Sequence, residues 1–160
     1  MPEVTAEVTV PSRTIAYDEL VDALGARFGP TPWSPIAQPQ VHGFADLTHD
    51  HQWIHVDEER AKDGPFGTTI AHGYLTLSLV PFFLGQLLEV SGTSMAVNYG
   101  LEKVRFPAPV PVGSSLQASA EIVGVEPRDG SVQLTTRVSV ACDAADRPVC
   151  VADVVIRFVG

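Results

Sequence analysis

The hydrophobic pattern divides the chain into a helical first half and a run of strands. Over residues 17–28 apolar side chains recur at Leu20, Val21, Leu24 and Phe28, the three-and-four spacing of an amphipathic helix, and Gly29-Pro30 stops it. Residues 30–40 are Pro-rich and read as a loop, with Trp33 its only large anchor. Short helices are predicted over 40–47 and 57–62, the latter with Asp57 as N-cap ahead of the acidic first turn Glu58-Glu59. Between them lies a His-rich segment too irregular for helix or strand. The most apolar stretch, 69–90, contains LTLSLVPFFLGQLLEV, which is apolar on nearly every side and predicts a helix that other elements must wrap. Pro81 inside it either kinks or ends that helix, or sits near one end.

Residues 97–106, 115–125, 131–142 and 148–158 are rich in Val, Ile and Thr and separated by turn signals such as Arg128-Asp129-Gly130, so each predicts a strand. In the third, Val132, Leu134, Val138 and Val140 share one face. Helices followed by adjacent strands predict an α+β fold, a mainly antiparallel sheet against one long helix. No repeat or dividing linker is present, and a single domain over 1–160 is expected.

Charge and composition then remove classes of function. A net charge of -9, with no block of Lys or Arg, lacks the electrostatic footprint of a nucleic-acid binder. Within 69–90, His72, Gly73, Pro81, Gly85, Gln86 and Glu89 interrupt what a membrane span would keep apolar for about 20 residues. The opening MPEVTAEVTVPSRTIAY has an acidic residue where a secretory signal has a basic start and a continuous apolar run, so a cytoplasmic location is expected. Cys142 and Cys150 are too few for a disulfide framework, although a bridge between them across a hairpin stays open. Lys103 and Arg105 share one face of a predicted strand, where they either meet an anionic ligand or face solvent.

All five histidines, His42, His49, His51, His55 and His72, fall within about thirty residues, and THDHQWIHVD holds three of them around Asp50. A binuclear metal box beginning His49-Asp50-His51 would continue with Asp and His where Trp53 and Ile54 stand, so no metal is expected. Asp50 and His55 can meet across a loop, either as a proton-transfer pair or as a loop-stabilising hydrogen bond. Gly73 stands where the buried helix begins. There a ligand carbonyl can approach unpaired backbone N–H groups, unless the glycine serves only close packing.

Three stretches carry a resemblance: Phe44-Ala45-Asp46-Leu47-Thr48; Asp50-His51-Gln52-Trp53-Ile54-His55-Val56-Asp57; and Gly64-Pro65-Phe66-Gly67 with Thr69-Ile70-Ala71-His72-Gly73-Tyr74-Leu75-Thr76-Leu77-Ser78-Leu79. With Tyr99-Gly100-Leu101 and the run Val104 to Val110, they closely resemble the MaoC-like dehydratases, or (R)-specific enoyl-CoA hydratases, in a subgroup with a Gln-Trp-Ile-His box that includes nodulation-protein-N-like members. The match runs from about Phe44 to the C-terminus and leaves residues 1–40 as an extension, whose Trp33 either covers an acyl pocket or fills core.

The resemblance implies a hot dog fold, a usual homodimer, and reversible addition of water to a trans-2-enoyl-CoA giving a (3R)-3-hydroxyacyl-CoA. It implies Asp50 and His55 as the catalytic pair and Gly73 as backbone donor to the thioester oxygen. Gln52, Trp53, His72, Lys103 and Arg105 become candidates for substrate contact, the last two toward phosphates of coenzyme A or of a carrier protein. No cofactor is implied, coenzyme A being part of the substrate. His49 stands where the subgroup has Gly, and a Ser found further along the helix in some hydratases has no match in Val80-Pro81-Phe82. The depth of an acyl pocket depends on the tertiary packing of residues such as Phe82, Phe83 and Leu87, so acyl length is not read from the sequence. Two competitors are a thioesterase on the same fold and a non-catalytic acyl-thioester-binding module.

Overall fold

A computed structural model of the protein describes residues 13–160. Most of the opening stretch read above against a secretory signal lies outside them. Eight strands and five α-helices follow one another: β1 Arg13–Ala16, β2 Arg27–Phe28, β3 Ser34–Pro35, α1 Gln38–Thr48, α2 Trp53–Val56, α3 Glu58–Lys62, α4 Gly73–Ser78, α5 Val80–Leu87, β4 Leu88–Ser91, β5 Met95–Arg105, β6 Ser115–Arg128, β7 Ser131–Cys142 and β8 Cys150–Val159. The main sheet runs β2-β6-β7-β8-β5, all antiparallel, with β3 also on β6. β1 and β4 form a separate parallel pair.

Alternation places the core. On β7, Val132, Leu134, Thr136, Val138 and Val140 are all buried, and on β8 the buried Cys150, Ala152 and Val154 face the same way. These residues and Leu116, Ala118, Ala120 and Ile122 of β6 pack on Val80, Phe83, Leu84 and Leu87 of α5, the sheet-over-helix layer predicted for an α+β hot dog domain. The β6–β7 turn is Asp129-Gly130, with Gly130 at φ 66, a left-handed conformation that glycine adopts without a Cβ penalty. β5 forms the outer edge next to β8 and is exposed along nearly its whole length.

Three elements depart from the expected pattern. The helix predicted over 17–28 is a 3-10 helix, Tyr17–Asp22. Beyond it the edge of β6 captures the backbone: Gly25 N–H donates to the Ile122 carbonyl at 2.8 Å, Ile122 N–H to Ala26 at 2.9 Å, and Phe28 pairs with Ala120. Leu20 and Phe28 are buried while Val21 and Leu24 face outward, so sheet pairing overrides the helical period. In the predicted loop Ile36 is the buried anchor and Trp33 is 48% exposed, which removes Trp33 from the core. The long helix is broken at Leu79 into α4 and α5. Pro81 falls in the first turn of α5, where its missing N–H costs no helical bond.

Both cysteines are free and buried. No helix among the described residues is long and apolar enough to cross a membrane.

Candidate active site

The site is built on the short segment between α1 and α3. α1 ends at His49, which adopts φ 61 and ψ 19, and the chain turns back so that Asp50 precedes the single turn of α2. That turn corrects the expectation of an irregular segment. An Asp50 carboxylate oxygen accepts, weakly, from Gln52 N–H at 3.4 Å, while His55 N–H donates to the Gln52 carbonyl at 2.9 Å. Asp57 then caps α3 by accepting from Arg60 N–H at 3.0 Å, as its position before two glutamates predicted.

His55 is buried on the inner side of this turn. Its Nδ1 sits 2.7 Å from the Ile70 carbonyl, and because a carbonyl only accepts, Nδ1 carries the hydrogen. Nε2 therefore has the free lone pair of a neutral imidazole, the form that takes a proton. Burial pushes the His55 pKa below the ordinary histidine value of 6.5; the Ile70 bond opposes the shift, His72 adds to it and Asp50 opposes it. The Asp50 side chain is 55% exposed.

His72 completes the cluster from the residue before α4. Its ring stacks on His55 with centroids 3.8 Å apart and planes 26° apart, and tilts against Phe44 at 5.1 Å on another side. Its Nε2 donates to the Asp50 main-chain carbonyl at 2.9 Å. Nδ1 is buried without a partner among the described residues.

A carboxylate oxygen of Asp50 and one ring nitrogen each of His55 and His72 lie within 4.8 Å of one another. Two hydrogen bonds of about 2.8 Å meeting at a near-tetrahedral angle span about 4.6 Å, so a carboxylate and an imidazole separated by close to that limit can share one water. A closed metal site would need about four ligands, and among the described residues only Asp50, His55 and His72 converge, with His72 Nε2 already donating to the Asp50 carbonyl.

A cavity of about 320 Å³ opens beside this cluster, walled by His55, Gly73, Thr76, Phe66, Phe106 and Val110. Gly73 begins α4, and its N–H is one of the first groups of a helix, which have no intrahelical acceptor. The ring of Phe106 lies against it: a Cβ at Gly73 would stand 3.0 Å from two Phe106 ring atoms. The close approach expected at Gly73 is thus met by a side chain, with the cavity alongside.

The structure thus brings Asp50, His55, His72 and Gly73 together. The other candidates are not among the residues that wall the cavity. Gln52 is exposed and caps α2. Trp53 packs between the Arg60 guanidinium, 4.3 Å from its ring centroid, and Gly64, whose missing Cβ would clash with the indole at 3.0 Å; it ties α2 to α3 and does not wall the cavity. Lys103 and Arg105 border a different depression with Arg137, Val151 and Asp153, on the sheet face opposite buried Ala152. Phe83 and Leu87, candidates to shape an acyl pocket, are fully in the core, and Phe82 is 53% exposed. His49 is exposed, His51 pairs with Asp46 at 2.9 Å on the surface, and His42 meets the Val56 carbonyl at 3.3 Å.

Sequence reasoning missed three contributors. Gln38 bonds the main chain of His55, Thr69 bonds Gln38, and Thr76 puts a buried hydroxyl on the cavity wall three residues after Gly73. Thr76 was findable: the helical repeat puts position i+3 on the same face as Gly73. Gln38 and Thr69 had no local signal.

Comparison with known proteins identifies the family. The family profile described as "MaoC like domain" matches residues 19–143. The chain is 51% identical over 142 residues to 3-hydroxyacyl-thioester dehydratase Z of Mycobacterium tuberculosis, covering 88% of this chain and 94% of that protein. It is 39% identical over 149 residues to nodulation protein N of Rhizobium leguminosarum bv. viciae, covering 90% and 92%. A solved (R)-hydratase from A. caviae involved in PHA biosynthesis superposes with a TM-score of 0.65 at 26% identity, over 83% of this chain and 94% of that one. The chain belongs to the MaoC-like dehydratase family, and is a hydratase or dehydratase of the hot dog fold.

Proposed function

We propose that the protein catalyses reversible addition of water to a trans-2-enoyl thioester, giving the (3R)-3-hydroxyacyl thioester, with Asp50 and His55 as the proton-handling pair. The observation that carries this reading is that a ring nitrogen of His55 lies within 4.8 Å of an Asp50 carboxylate oxygen, while Nδ1 is held by the Ile70 carbonyl and Nε2 is left free, at the wall of a cavity that Gly73 also lines. His55 Nε2 takes a proton as the water oxygen bonds to the β-carbon. The π electrons move toward the α-carbon and thioester oxygen, and the pair returns the proton to the α-carbon, so one water is added and no redox partner is needed. Charge gathering on the thioester oxygen is met by the Gly73 N–H. His72 acts on the Asp50 backbone in this reading and not on substrate.

The thioester carrier is coenzyme A in this proposal. Lys103 and Arg105 serve as an anchor for its phosphates, because Arg105 is adjacent to Phe106 of the cavity wall. A homodimer is proposed from β5: Met95, Val97, Tyr99 and Leu101 are 40–60% exposed on an edge strand, with Phe106, Tyr74 and Phe82 also exposed, an apolar display beyond what a monomer normally shows. Loss of enoyl-thioester ultraviolet absorbance with short and medium trans-2-enoyl-CoA tests the reaction, with free thiol followed in parallel. Thiol release without hydration assigns the chain to thioester hydrolysis; binding without turnover at every chain length makes it an accessory module.

A further inference from the structure

The side chain of Gln38 reaches the catalytic segment from the first turn of α1, in the stretch that carries no part of the motif. α1 starts with Ala37 as N-cap and Pro39 in its first turn, and Ala37 N–H donates to Gln40 Oε1 at 2.7 Å, so the backbone at Gln38 is fixed. Both ends of its carboxamide are used. Nε2 donates to the His55 carbonyl at 2.8 Å, and Oε1 accepts from the Thr69 hydroxyl at 2.6 Å. The reverse orientation would set two acceptor oxygens against each other at the His55 carbonyl, so the contacts fix the amide's sense.

Those two partners belong to the two stretches that grip the His55 ring. Ile70 N–H donates to the Ile54 carbonyl at 3.0 Å, and the Ile70 carbonyl accepts from His55 Nδ1 at 2.7 Å. Thr69 is itself held from the far side, its carbonyl accepting from Val112 N–H at 2.9 Å, and is 3% exposed. Gln38 therefore closes a ring of hydrogen bonds around His55, and it is not one of the cavity-lining residues.

We infer that Gln38, with Thr69, is a positioning residue for the reaction: its carboxamide locks the His55 main chain to the 69–70 segment, so that Nε2 stays aimed at the water shared with Asp50. The inference rests on the hydratase reading above. Small displacements of a base relative to its water cost rate steeply, about 100-fold for an ångström, while substrate affinity is set elsewhere in the cavity.

The test compares natural protein with Gln38→Met, close in shape and without hydrogen-bonding groups, and with Thr69→Val and Thr69→Ser, using trans-2-enoyl-CoA. Natural protein that does not hydrate the substrate defeats the functional reading and leaves no dyad to position. Given turnover, Gln38→Met is expected to lower kcat by about tenfold or more with KM within about twofold, in protein whose circular dichroism is unchanged. Thr69→Val is expected to lower kcat in the same sense, Thr69→Ser to restore it, and the Gln38→Met/Thr69→Val double variant to be no worse than Gln38→Met alone, since both break one network. A Gln38→Met enzyme within about twofold of natural kcat, or a double variant that loses the product of the single effects, overturns the inference. If Gln38→Met does not fold, the Thr69 pair decides: equal activity of Val and Ser refutes it.

Discussion

Replacing His49 by Gly should make the protein more stable without touching catalysis. His49 is the one non-glycine residue with positive φ among the described residues, at φ 61 and ψ 19 where α1 ends. An L-residue with a Cβ pays about 1–2 kcal/mol in this conformation, and Gly pays none of it. Gly also loses about 0.5–1 kcal/mol more backbone freedom on folding, which leaves a net gain of about 0.5–1 kcal/mol. For a chain of this length that is about 1–4 °C in Tm. Urea unfolding of natural protein, His49→Gly and His49→Ala gives the answer, because Ala removes the imidazole and keeps the strain. His49→Gly should exceed His49→Ala by about 0.5–1 kcal/mol, with kcat in both near the natural value. Equal stability of the two variants would refute the backbone argument and return the role to the imidazole.

Asp50→Asn and His55→Gln should each lower hydration by about 100-fold or more while the protein stays folded, read by enoyl absorbance; a variant with near-natural rate removes that residue from the pair. The depressed pKa of His55 also predicts a stability signature. The unfolded chain binds this proton more tightly than the folded one, so the contribution is fully present above pH 6.5 and is lost as pH falls through the lower folded value. The gap in unfolding free energy between natural protein and His55→Gln should therefore move against natural protein below pH 6.5, and a gap that is flat with pH contradicts it. Gly73→Ala would bring a methyl 3.0 Å from the Phe106 ring; because Phe106 is 40% exposed the ring can yield, so stability should fall by only about 1 kcal/mol while turnover falls about tenfold or more. Burial raises the Cys150 thiol to about 11, and Cys142 is buried as well, so a thiol reagent at pH 8 should label neither in the native protein and both after unreduced denaturation.

The legible parts of this molecule were those whose sequence pattern and tertiary environment agree. β7 was read with its observed ends because one face is buried along its whole length, and a period of two then leaves no freedom in register. The resemblance singled out Asp50, His55 and Gly73 as candidates, and the geometry adds what no motif states: which imidazole nitrogen is free, and why. The 17–28 pattern failed where sheet pairing, worth a full set of backbone bonds to β6, outweighed a four-residue apolar stripe. The packing of Trp53 was hidden for a related reason, since its partners Arg60 and Gly64 are set by how α2 and α3 fold together.

Gln38 and Thr69 lay furthest from sight, because a polar side chain that meets partners 17 and 31 residues away leaves no period to detect. The division is a physical one. Apolar burial writes itself along the chain as a repeat, whereas a hydrogen-bonded support is specified by one residue at each end. The residues that hold His55 in place therefore become visible only when the chain has brought α1, α2 and the stretch before α4 into contact, and it is there that the rate of this family's chemistry would be tuned without altering the residues that perform it.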